Sequence, residues 1–155
     1  MLKSRKAVSP VIATIIIVAI AISIAIAVAY WMVGITGAFT RFEKLEIISA
    51  YAELNKTSKG YNVTMRVKNS GTVDVTIDLI FINGKPFDAV GATVWNGTTT
   101  FDAPEELQKN LTVKTGESRQ FIVVLPAAAF NPGQSVEITI HTAGGKEYPK
   151  NVVLP

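Results

Sequence analysis

Hydrophobic and polar positions follow two different rules along this chain, and the change comes near residue 40. From Val11 to Ile35 the sequence is almost wholly Ile, Val and Ala, with single Thr14 and Ser23. This exceeds the roughly 20 apolar residues that cross a bilayer as a helix. The stretch from Ala19 to Ala29 alternates small and branched residues with period two, which is strand-like. Ala is depleted in strands, however, and the run is far longer than an ordinary strand. The reading is therefore one helix from about Pro10 to about Phe39, about 45 Å long at 1.5 Å per residue. Ser9 offers a capping hydroxyl, and Pro10 loses nothing at the first helical position. A helix apolar on every side must be covered on every side, by lipid, by its own copies, or by each in turn.

From Lys44 onward the period becomes two, with turn signals every eight to twelve residues. Tyr61, Val63, Met65 and Val67 alternate with Asn62, Thr64, Arg66 and Lys68. Val73, Val75, Ile77, Leu79 and Phe81 read as one continuing inward face, and Asn83-Gly84 supplies a hairpin turn. Asn96-Gly97 and Pro132-Gly133 mark later turns. Leu111 with Val113, Phe121 with Val123 and Leu125, and Val136 with Ile138 and Ile140 complete the inward set. The predicted fold class is α+β: a long hydrophobic N-terminal helix, then an all-β immunoglobulin-like sandwich of about seven to eight antiparallel strands. The expected division is a leader at 1–7, a hydrophobic helix at 8–40 and an extracellular β domain at 41–155.

Charge sharpens this picture. The 155 residues carry a formal +3, and the excess is confined to Lys3, Arg5 and Lys6. Residues 41–155 hold 12 basic and 12 acidic side chains, so the body lacks the basic stripe that a nucleic-acid backbone requires. Cationic residues stay on the cytoplasmic side, which predicts the carboxy-terminal part outside. A secretory signal has an apolar stretch of roughly 7 to 15 residues before its cleavage site, shorter than the one here. A cut ahead of the apolar stretch would instead leave the helix in the mature protein.

The run Arg5-Lys6-Ala7-Val8-Ser9-Pro10-Val11-Ile12-Ala13-Thr14, followed by Ile and Ala, resembles the class III signal region of archaeal type IV pilins. The resemblance covers about residues 4–36. It implies that a membrane aspartyl prepilin peptidase cuts between Ala7 and Val8. It further implies that a pilus assembly machinery builds the subunit into a homopolymeric helical filament. The precursor would sit in the cytoplasmic membrane, and the assembled filament would be extracellular and adhere to surfaces or other cells. The filament-core positions would be Val11, Ile12, Ile15, Ile16, Ile20, Ile22, Ile24, Ile26, Val28, Tyr30 and Trp31. Related archaellins more often show Gly-Ile-Glu-Ala-Ala after the cut, an acidic position that has no counterpart here. Leader removal has a physical rationale, because three unpaired cations per subunit would each cost several kcal/mol in a dry helical bundle.

Four Asn-x-Thr sequons, at Asn55, Asn62, Asn96 and Asn110, use half of the eight Asn and are N-glycosylation candidates. Asn55 and Asn96 fall in predicted turns, Asn62 and Asn110 on the polar side of predicted strands. Enzyme chemistry finds little support. There is no Cys, and the single His141 has no partner ligand in the sequence. Glu105-Glu106 after Pro104 reads as a helix start, and Gly144-Gly145-Lys146 as a hairpin turn without P-loop spacing. No catalytic residue, metal or cofactor is expected. Trp95, Phe101 and Phe130 could form an adhesive patch, but the core is the expected place for aromatics in a small sandwich. The competing reading is a membrane-anchored extracellular binding module that does not polymerise.

Overall fold

The computed structural model describes residues 9–56 and 60–155. The expected cleavage point between Ala7 and Val8 lies outside the described residues, as does Thr57 of the Asn55 sequon. The chain divides into two compact units, residues 1–41 and 42–155.

The first unit is a single helix, α1 (Pro10–Phe39), 30 residues long. Length and composition outweigh the period-two alternation, as the sequence reading expects. Ser9 takes the N-cap position and Pro10 the first turn, but the Ser9 hydroxyl makes no capping bond. The cap is made by the backbone, with Ala13 N–H donating to the Ser9 carbonyl at 3.1 Å. Three polar side chains within the apolar run satisfy themselves on the preceding turn: Thr14 Oγ1 donates to the Val11 carbonyl, Ser23 Oγ to Ala19 and Thr36 Oγ1 to Met32, each at 2.8 Å. A hydroxyl bonded to its own helix carries no unmet bond into an apolar medium.

The second unit is a two-layer β sandwich. In chain order its elements are β1 (Leu45–Leu54), β2 (Tyr61–Asn69), β3 (Val75–Ile82), β4 (Lys85–Pro86), β5 (Thr93–Trp95), β6 (Thr100–Phe101), α2 (Pro104–Asn110), β7 (Thr112–Val113), β8 (Ser118–Leu125), β9 (Ser135–Thr142) and β10 (Glu147–Val153). One sheet runs β1-β2-β8-β5-β6, the other β10-β9-β3-β4, and β7 pairs with β3. The pairings between strands are antiparallel. The strand total exceeds the sequence expectation because β4 to β7 are two or three residues each, too short to show a period.

The inner faces are closed. Val63, Met65, Val67, Phe121, Val123 and Leu125 from one sheet meet Ile77, Ile80, Ile82, Val136, Ile138 and Ile140 from the other, all fully or almost fully buried. Burying side chains of this size contributes about 1.5–3 kcal/mol each. β3 departs from the expected parity. A bulge between Ile77 and Leu79 switches its faces, so Val75 and Ile77 point inward, then Ile80 and Ile82, while Leu79 and Phe81 lie on the half-exposed side. The bulge residue Asp78 accepts at Oδ1 from His141 Nδ1 on β9 at 2.6 Å, and the His141 ring also stands edge-on to Phe81. Asn83-Gly84 makes the β3–β4 hairpin with both residues at positive φ, 50° and 76°, the geometry of a tight two-residue turn.

Candidate functional site

The first candidate site is the surface of α1. Each large apolar side chain from Val11 to Val33 is about half exposed or more, with Tyr30 at 83% and Trp31 at 67%. All eleven expected core positions are thus presented outward, around the full circumference. The helix is long and apolar enough, over Pro10–Gly37, to cross a membrane. From Pro10 to Tyr30 the rise is roughly 30 Å, the thickness of a hydrocarbon core. The aromatic pair therefore lies one hydrocarbon thickness from Pro10, the spacing at which Tyr and Trp settle at an interface.

The period-two alternation acquires a second meaning on a helix. A step of four residues preserves odd–even parity, so the i±4 rows sort by size. Ala19, Ser23 and Ala27 form one small row and Ala21, Ala25 and Ala29 another. Ile20, Ile24 and Val28 form a branched row between them, and Ile22, Ile26 and Tyr30 a second large row on roughly the opposite side. Ridges and grooves along i±4 are the elements of the commonest helix–helix packing class. Small residues in the grooves let apolar helices approach closely in lipid.

The second candidate is the outer face of the β1-β2-β8-β5-β6 sheet. The registers place Tyr51, Thr64, Ile122, Trp95 and Thr100 side by side in one row across all five strands. Tyr51 is 47% and Trp95 39% exposed, while Thr64 between its neighbours is only 5% exposed. The next row holds Glu53, Asn62, Val124 and Thr93. Of the three aromatics weighed in the sequence, Phe101 and Phe130 are buried and Trp95 is not. The expectation of a core position therefore fails for Trp95, because the inward position of its strand is taken by Val94.

Three of the four sequons border this face. Asn62 lies on it within β2, Asn55 follows β1, and Asn96 follows Trp95 at the β5–β6 turn. Asn55 Nδ2 donates to Asn62 Oδ1 at 3.0 Å. Asn96 Oδ1 accepts from the backbone N–H groups of Thr98 and Thr99 at 3.0 and 2.9 Å. Asn110 departs from its expected place on a strand. It ends α2, and its Nδ2 donates to the Glu106 carbonyl at 2.8 Å.

The remaining candidates resolve into structural roles. Glu105 and Glu106 lie in the first turn of α2, a favourable place for negative charge. Gly144-Gly145-Lys146 turns β9 into β10, with Gly145 at φ 77°. Among the described residues no group of three or more His, Asp or Glu side chains could hold a metal. Sequence reasoning passed over Asn69, which is fully buried at the end of β2. Its Nδ2 donates to the Val73 and Val113 carbonyls, and its Oδ1 accepts from Gly71 N–H. A lone Asn before Ser-Gly gives no sequence signal beyond a turn.

No family model matches this chain, and no curated protein matches it. Solved structures give similarities. The archaellum periplasmic stator protein FlaG from Sulfolobus acidocaldarius is 12% identical at a TM-score of 0.42, covering 71% of this chain and 99% of that one. A complex of FlaF and FlaG from the same organism gives 13%, 0.41, 71% and 89%. The Iho670 flagellar-like filament is 17% identical at a TM-score of 0.42, covering 94% of this chain and 98% of that one. At these values no role passes from those proteins to this one.

Proposed function

We propose that the protein is a structural subunit of an extracellular archaeal type IV pilus. It would enter the cytoplasmic membrane through α1, lose its leader between Ala7 and Val8, and polymerise through the same helix into an adhesive filament. The observation that carries this reading is α1 itself: 30 residues, apolar on every side, internally satisfied at each Ser and Thr hydroxyl, and sorted by size into i±4 ridges and grooves. Lipid requires only the apolarity. The size sorting adds what close packing against other helices needs. The pilin-like leader and the closed β core, which needs nothing from α1 to be buried, fit an exchange of lipid for neighbouring copies.

The double substitution Ala21→Leu with Ala25→Leu separates the reading from a non-polymerising anchored module. It fills one groove while keeping the helix apolar and its length unchanged. Membrane insertion of the precursor is expected to be unchanged and filament yield to collapse. Normal filaments from this variant would remove α1 packing from the account.

A further inference from the structure

The outer row Tyr51–Thr64–Ile122–Trp95 presents two exposed aromatics, Tyr51 and Trp95, with buried Thr64 and half-buried Ile122 between them, and is bounded on one side by Ser49, Arg66 and Gln120. Two aromatics aligned in one row, with an apolar residue between them, offer a surface that a flat apolar ligand face could cover. Asn62 stands in the adjoining row, one strand from Tyr51 and two strands, roughly 10 Å, from Trp95. Its amide is fixed with Oδ1 accepting from Asn55, and its Nδ2, the atom that bears a sugar, has no hydrogen-bond partner among the described residues. Asn110 differs, because its Nδ2 is committed to the Glu106 carbonyl.

We infer that Asn62 carries an N-linked glycan whose first sugars lie over the Tyr51–Ile122–Trp95 row, so that the covering of this face is the chain's own oligosaccharide. A pyranose ring presents C–H groups on one face and hydroxyls on its rim. The C–H face meets the negative faces of Tyr51 and Trp95, and the rim meets Glu53, Thr93 and water. In the transfer, Asn62 Nδ2 attacks the anomeric carbon of a lipid-phosphate-linked oligosaccharide. The N–C bond forms as the C–O bond to phosphate breaks, the electron pair leaves with the lipid phosphate, and Nδ2 gives up one proton to the transferase. Because Thr64 is 5% exposed in the folded sheet, transfer precedes the closing of β1 and β8 around β2. The inference rests on export of the β domain, one element of the proposed function, and not on polymerisation.

The test uses the full-length protein isolated from its native host and dispersed in detergent. Peptide mass spectrometry should find a glycan on Asn62. Hydroxyl-radical footprinting should find Trp95 oxidised severalfold more slowly in the wild type than in Asn62→Gln. Thr64→Val, which removes the sequon but keeps the Asn55–Asn62 bond and a β-branched side chain, should match Asn62→Gln. Thr98→Val, which removes the Asn96 sequon alone, should leave the protection in place. A bare Asn62 in cell-surface protein overturns the inference while leaving the filament reading intact. A glycosylated Asn62 with equal Trp95 oxidation in wild type and Thr64→Val overturns it too, as does protection lost on Thr98→Val alone. Separately, glycosylated protein that never forms filaments would contradict polymerisation and not this inference.

Discussion

Single residues hold the β domain at two contrasting kinds of site. Asn69 is a buried polar group with both amide hydrogens and its carbonyl oxygen hydrogen-bonded, tying the β2–β3 turn to β7. Its backbone joins the same junction, N–H to the Glu117 carbonyl and carbonyl from Gly116 N–H, each at 3.0 Å. Removing the amide leaves two buried carbonyls and one N–H without partners. Asn69→Ala is therefore expected to destabilise a 42–155 fragment by about 3 kcal/mol, read from urea unfolding midpoints. Glu117 is a surface counterpart. Its carboxylate accepts from Lys114 N–H at 3.1 Å and from Arg119 Nε at 3.1 Å, and these bonds, Lys114 foremost, hold its pKa below the ordinary 4.5. The folded pKa lies under the unfolded one, so the contribution is present above pH 4.5 and is lost as pH falls through the folded value. Urea midpoints of the fragment should drop below pH 4.5 more steeply in the wild type than in Glu117→Gln. Equal slopes would mean that the two bonds do not persist in solution.

At the scale of the element, what the sequence discloses depends on whether a signal is local. α1 spans Pro10–Phe39 as expected, because length and lack of charge decide it without reference to the rest of the chain. The alternation in β2 and the Asn83-Gly84 turn are local in the same way. β3 is different: Asp78 interrupts nothing in the apolar–polar alternation, yet the strand takes a bulge there because His141 on a distant strand accommodates the extra residue. Asn110 joins α2 because Leu107 finds a buried place in the core, and Trp95 faces outward because Val94 is inside. Leu107 and Val94 are close in sequence, but the core that buries them, like His141, lies outside a window of ten residues. The bulge makes a sharp prediction. Deleting Asp78 would bring Val75, Ile77, Ile80 and Ile82 to alternate positions of a regular strand, so all four could stay inward without the bulge. The deletion should therefore leave the domain folded by circular dichroism, as should Asp78→Asn, and an unfolded deletion variant would contradict the bulge assignment.

As a whole molecule the chain joins two units that meet opposite requirements. Residues 42–155 bury their own core and carry nearly balanced charge. Residues 10–39 bury nothing themselves and need an apolar surrounding. The sequence reading of a helix followed by a sandwich stands; the position of the candidate glycan beside an aromatic row was illegible, since it emerges only when four strands align. The central claim is that the helix changes its surroundings from lipid to its own copies once the leader is gone. The most direct measurement is the N-terminal sequence of this protein in material sheared from cell surfaces and pelleted as high-mass particles. The account predicts a start at Val8 in that pellet. A start at Met1, in protein confined to membranes and absent from the pellet, would contradict it.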